Sequence, residues 1–216
     1  RRMSDGWQRR QAQTRQAVLA AVGALIAAEG VEALSERRLA ERAGVAVAPL
    51  YNQFGDRQGI LVSFVENGLD QLEGELDAAP PQDPIDVTRA LFAAFDDRFS
   101  SEPDVWRPIF ATLGSGPGVH GMGEIGDRVV ATITADLEKA AADGRLIHGC
   151  DTALVARHVF HTRMSRLERW ANGVLDWETY LVSSQLGLEL ILAAILVEPH
   201  RSDALDRSGA LGESGR

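Results

Sequence analysis

Apolar residues recur at helical spacing along most of this chain. From Thr14, the residues Val18, Val22, Leu25 and Ile26 fall on one face of a 3.6-residue repeat, and Gly30 offers a natural stop. Ser35 is placed to cap a second helix that carries Leu39, Ala40 and Ala43 inward and ends at Gly44. A third, short helix is predicted from Val47 to about Gln53, with Leu50 and Phe54, four apart, facing inward. Asp56 can cap a fourth helix that starts at Arg57, reaches about Leu76, and shows Ile60, Leu61, Phe64 and Val65 as its apolar face. Further helices are predicted over 84–99, 103–113, 122–143, 151–172 and 176–197. Runs rich in Val, Ile and Thr that alternate with period 2 are absent. The expected fold class is therefore all-α, with about nine helices.

The breaks between these patterns suggest the organisation. Residues 1–13 are polar and read as a flexible N-terminal arm. Residues 14–56 read as a small head, and 57–198 as a larger helical body. Pro199 ends the last apolar pattern, and 199–216 reads as a disordered tail. The stretch from Leu186 to Leu196 is apolar almost all round, with Gly187 offering close approach. A helix without a polar face calls for burial on both sides. The simplest partner is a second copy, joined in a twofold four-helix bundle of 151–172 and 176–197.

Charge sharpens this picture. The net charge is −9 over 216 residues, but it is unevenly spread. Up to Ile60 there are 9 arginines against 6 acidic residues, a net of +3; the remainder carries 13 basic and 25 acidic residues, a net of −12. Only the head suits a polyanion. One cysteine, Cys150, rules out an intrachain disulfide and fits a reducing, cytoplasmic setting. No apolar run approaches the roughly 18 residues that would span a membrane.

The head carries a helix-turn-helix signature. Ala40 allows close helix approach, Gly44 permits a left-handed turn, and Val45 plugs the space between the two helices. Pro49 falls in the first turn of the next helix, where a missing N–H breaks no intrahelical bond. The whole segment "TRQAVLAAVGALIAAEGVEALSERRLAERAGVAVAPLYNQFGDRQGIL" resembles the DNA-binding head of TetR-family (tetracycline-repressor-like) transcriptional regulators. "LAERAGV", "LYNQF", Glu29-Gly30 and the basic residue that opens the fourth helix carry the likeness jointly.

That resemblance implies a DNA-contacting set. Tyr51 would donate its hydroxyl to a phosphate, and Arg57 would grip the backbone beside the fourth helix's N-terminal N–H groups. Arg37 would reach a base or a phosphate. Thr14 and Arg15 would touch the flanking strand, and Asn52 and Gln53 would bond adenine edges or phosphates. Val47, Ala48 and Pro49 stand where the family often has Lys, Gly and Thr. Apolar groups there can still read thymine methyls. The partners implied are a double-stranded DNA operator, a small apolar or amphipathic effector and a second copy of the chain. No cofactor or membrane is implied. The activity implied is ligand-responsive repression, not catalysis.

The body offers softer signals. Phe95, Phe99, Trp106, Phe110 and Met122 are the large groups that would wall an effector pocket, with His161 as a polar contact. Arg163, Arg166 and Arg169, three apart, form a salt-bridged stripe or an anion-binding wall. "GPGVHG" matches a dinucleotide-loop spacing at Gly116, Gly118 and Gly121, but no strand precedes it, so a loop is expected. Two rival readings remain: a dimeric helical interaction module that does not read DNA, and a helical enzyme using His158 and His161.

Overall fold

The computed structural model describes the backbone of residues 2–114 and 123–214, and the side chains of 9–114 and 123–212 other than Pro49 and Tyr51. Ten α-helices account for most of the described residues. They are α1 (Arg2–Glu29), α2 (Glu36–Ala43), α3 (Val47–Phe54), α4 (Arg57–Ala78), α5 (Pro84–Ser101), α6 (Pro103–Gly114), α7 (Gly123–Ala142), α8 (Thr152–Ala171), α9 (Trp177–Ile195) and α10 (His200–Ser214). A single 3-10 turn, Val31–Ala33, follows α1.

Side-chain caps set the helix starts, at Ser35 and Asp56 as expected and at three further aspartates. Ser35 Oγ accepts from the Arg38 N–H at 3.4 Å, Asp56 from Gly59 at 2.8 Å and Asp83 from Ile85 at 2.9 Å. Asp151 and Asp176 cap α8 and α9 through the N–H groups of Leu154 and Thr179. Each bond satisfies a donor that the helix geometry leaves without a partner. Gly44 closes α2 with φ of 67°, the left-handed turn for which its missing Cβ is suited.

The chain clusters into two compact units, Arg1–Gln71 with Glu102–Met122, and Leu72–Ser101 with Gly123–Arg216. In the first, Val18, Val22, Leu25, Ile26, Leu39, Leu50 and Leu61 are at most 2% exposed. Burying each such side chain contributes about 1.5–3 kcal/mol. The first unit runs beyond the expected 14–56 because α6 brings Trp106 against Phe64, with ring centroids 5.1 Å apart. Gly68 leaves the space: a Cβ there would sit 2.9 Å from the Trp106 ring.

In the second unit α7, α8 and α9 pack in sequence, and α5 packs on α7. Gly126 of α7 lets Phe160 approach closely, since a Cβ would lie 2.9 Å from that ring. A short antiparallel bridge between Leu146 and Leu196 pins the end of α9 to the loop after α7.

Both chain ends differ from expectation. Residues 2–13, expected to form a flexible arm, continue α1 backward as a helix. Their Gln and Arg residues are good helix formers and extend a helix already nucleated downstream. The tail expected to be disordered forms α10 and lies against α9. Its apolar stripe is thin, but Ala204 is fully buried, and Ser208 and Leu211, four and then three residues on, share its face. Part of the all-round apolar surface of α9 is therefore covered from within the chain.

Candidate nucleic-acid interface

The short helix α3 has two faces. Leu50 is fully buried and Phe54 is 7% exposed, so they anchor it to the first unit. Val47, Ala48 and Asn52 are exposed and Gln53 is half-buried. Residues 47, 48 and 52 form one outward stripe, with 48 and 52 one turn apart. The side chains of Pro49 and Tyr51 lie outside the described ones, though both residues belong to α3. Val47 remains 45% exposed, high for a β-branched apolar residue on a helix with a buried side available.

The flanking arginines divide by what they touch. Arg37 is exposed on the first turn of α2. Its neighbour Arg38 is engaged by Glu29 at the end of α1, and that hydrogen bond holds the Glu29 carboxyl below its usual range. Arg15 reaches across to α4: Nη1 is 3.5 Å from Ser63 Oγ, Nη2 is 3.5 Å from Glu66, and the guanidinium lies 5.5 Å from the Phe54 ring centroid. Gln16 adds a bond to Asn67 at 3.1 Å. Arg57 Nη2 donates to the Val31 carbonyl at 2.7 Å and Nη1 to Glu32 at 3.3 Å. Arg15 and Arg57 thus hold α1, the 3-10 turn and α4 in register around α3. Thr14 is half-buried on α1.

Ser63, Glu66 and Asn67 were not among the sequence candidates. Their spacing places them on one face of α4, which the sequence does show. Which helix that face meets is not written in the spacing.

Phe95 and Phe99 of α5 pair in the second unit, with centroids 5.8 Å apart. Trp106 and Phe110 of α6 stack in the first, 6.0 Å apart. Met122, and the glycine loop with Gly116, Gly118 and Gly121, lie outside the described residues. His161 is exposed on α8 and lines an open groove of about 550 Å³ with Arg166, Arg169 and Ser183. The arginine stripe divides as well. Arg163 is buried against Asp96, Arg166 lies over Gly187, and Arg169 faces the groove. His158 is exposed on α8, and no group of three or more His, Cys, Asp or Glu among the described residues could hold a metal ion. No described helix is long and apolar enough to cross a membrane.

Comparison with known proteins agrees with this geometry. Residues 18–64 match the family model for bacterial regulatory proteins of the tetR family. The HTH-type transcriptional repressor KstR of Rhodococcus jostii (strain RHA1) is 26% identical over 165 residues, covering 74% of each chain. SmeT, the repressor of the Stenotrophomonas maltophilia multidrug efflux pump SmeDEF, has a similar structure with a TM-score of 0.66 at 20% identity, over 87% of this chain and 94% of that one. RolR, solved with resorcinol, superposes with a TM-score of 0.67 at 20% identity over 93% and 95% of the two chains.

Proposed function

The chain belongs to the tetR family of bacterial regulatory proteins, and on that premise we propose that it is a ligand-responsive repressor that releases a palindromic operator when a small apolar or amphipathic molecule binds its body. The observation that carries the reading is the outward stripe of α3. Val47, Ala48 and Asn52 stay exposed on a helix anchored by Leu50 and Phe54, in the domain that matches the family. A recognition helix needs that division, with one face fixed and the other free for base edges. Arg37 and Tyr51 supply phosphate contacts, and Arg15 and Arg57 do so from positions that also hold the head together.

The protein acts as a homodimer through α8 and α9. Leu154 on α8 is 58% exposed and Leu190 on α9 is 51% exposed, and α10 leaves both uncovered. Two heads then meet successive major grooves about 34–36 Å apart. That KstR is named a repressor and that RolR was solved with resorcinol favour repression relieved by a small molecule. α4 is the helix shared by the two compact units, so a ligand in the body acts on the heads through it. The coupling is reciprocal: DNA weakens ligand binding by the factor by which ligand weakens DNA binding.

The test is selection of random duplex DNA on the purified protein at two salt concentrations. The expected result is a palindrome with half-sites one helical turn apart and an affinity that falls steeply with salt. The double variant Tyr51→Phe, Arg57→Ala should lose it. Enrichment of nothing by protein refolded free of ligand would instead support a helical interaction module that does not read DNA.

A further inference from the structure

A second cavity, unrelated to the aromatic residues of the expected pocket, lies within the second unit. It measures about 390 Å³, inside the range of small-molecule sites, and is walled by α5, α8, α9 and α10. Phe92, Ala93, Leu188 and Leu211 make its apolar side. Its polar side consists of ion pairs that are already complete. Arg89 holds Glu189 with two bonds of 2.7 and 2.8 Å and Asp86 with a third of 2.8 Å. Arg163 is paired with Asp96 and lies 4.4 Å from the Phe92 ring centroid. Arg207 of α10 stands 3.8 Å from Glu189. The lining itself holds three arginines and two carboxylates, and Asp86, outside the lining, supplies the third carboxylate by pairing Arg89.

Two hydrogen-bonding groups are left over. Asp96 uses Oδ1 for both Arg163 and the Tyr180 hydroxyl, and Oδ2 accepts no bond among the described residues. The half-buried Gln185 amide likewise has no partner among them.

We propose that this cavity binds a neutral hydroxylated apolar molecule, whose hydroxyl donates to Asp96 Oδ2 and accepts from the Gln185 amide while its hydrocarbon covers Phe92, Ala93, Leu188 and Leu211. Charge balance selects the class. An anion or a cation would enter a wall whose charges are already matched and would lose its hydration without a counterion. A hydroxyl satisfies one acceptor and one donor at no such cost. The site depends on the ligand-responsive reading only for its effect on operator affinity, which is measured apart from binding.

The experiment titrates the full chain with four probes of one skeleton: 1-octanol, its methyl ether, octanoate and octylammonium. Calorimetry should show 1-octanol binding at least tenfold more tightly than each of the others. Ala93→Phe, which fills the cavity from a surface-accessible position, should weaken 1-octanol at least tenfold. Gln185→Leu, which removes the amide without adding bulk, should weaken it severalfold. The site is refuted if 1-octanol binds both variants as it binds the wild type, or if no probe binds. The ligand class is refuted if the ether or either ion matches the alcohol. Binding that follows these expectations while operator affinity stays constant would uphold the site and remove its regulatory role.

Discussion

The Arg163–Asp96–Tyr180 cluster provides a measurable test of what holds the body together. The side chains of Arg163 and Asp96 are 9% and 7% exposed, and Tyr180 is fully buried. Arg163 also donates to the Phe92 carbonyl at 3.3 Å, and Tyr180 donates to Asp96 at 3.2 Å. Replacing Asp96 by Ala leaves a buried guanidinium with one carbonyl and two aromatic faces. Removing one partner of such a pair costs about 3–5 kcal/mol, a large share of the roughly 5–15 kcal/mol that holds a typical protein folded. Tyr180→Phe removes one bond to a charged acceptor and should cost about 1.5–3 kcal/mol. The double change Asp96→Leu, Arg163→Met removes both charges and keeps the volume filled. It should cost far less than the two single changes added together, because neither ion is left unpaired. Urea unfolding, followed by circular dichroism and by tryptophan fluorescence, measures these three variants and the single changes Asp96→Leu and Arg163→Met. An Asp96→Ala cost below about 1 kcal/mol, or a double variant as damaged as the sum of the singles, would refute the argument.

Four further outcomes are expected. Arg37→Ala should weaken operator binding at every sequence tested and lower the salt slope by about one, as measured by fluorescence anisotropy across a salt series. Gly74→Ala should stabilise the chain by about 0.5–1 kcal/mol, because Gly74 lies within α4 with nothing near its would-be Cβ; Gly68→Val should destabilise it by displacing the Trp106 ring, and thermal melting separates the two. Burial pushes the Asp83 carboxyl up, but the Ile85 N–H and Arg145 together outweigh it and hold the carboxyl below its usual range. Its stabilising contribution is present above the ordinary aspartate range and is lost as pH falls through the lowered folded value. Asp83→Asn should therefore flatten the acid limb of a stability-versus-pH curve.

Much of the head could be read without coordinates. Ser35, Gly44 and Asp56 mark helix ends through bonds to residues three or four away, and Leu50 and Phe54 mark a buried face by their own spacing. The partners of Arg15 and Arg57 could not be read, because they lie 48 and 26 residues away in the chain. The same limit holds for the aromatic residues of α5 and α6, whose helical spacing marks core positions but not the neighbours they meet.

The sequence by itself determined the all-α class, most helix starts and the identity of the DNA-binding head. Those features depend on local hydrogen bonds and on period, which a linear chain displays. Only the tertiary structure decided that α10 folds onto α9, that Arg163 is buried while Arg169 is not, and that a charge-balanced cavity separates α5 from α10. Each of these depends on surface buried between elements distant in sequence. The thin stripe around Ala204 becomes a helix in place only when α9 is there to cover it.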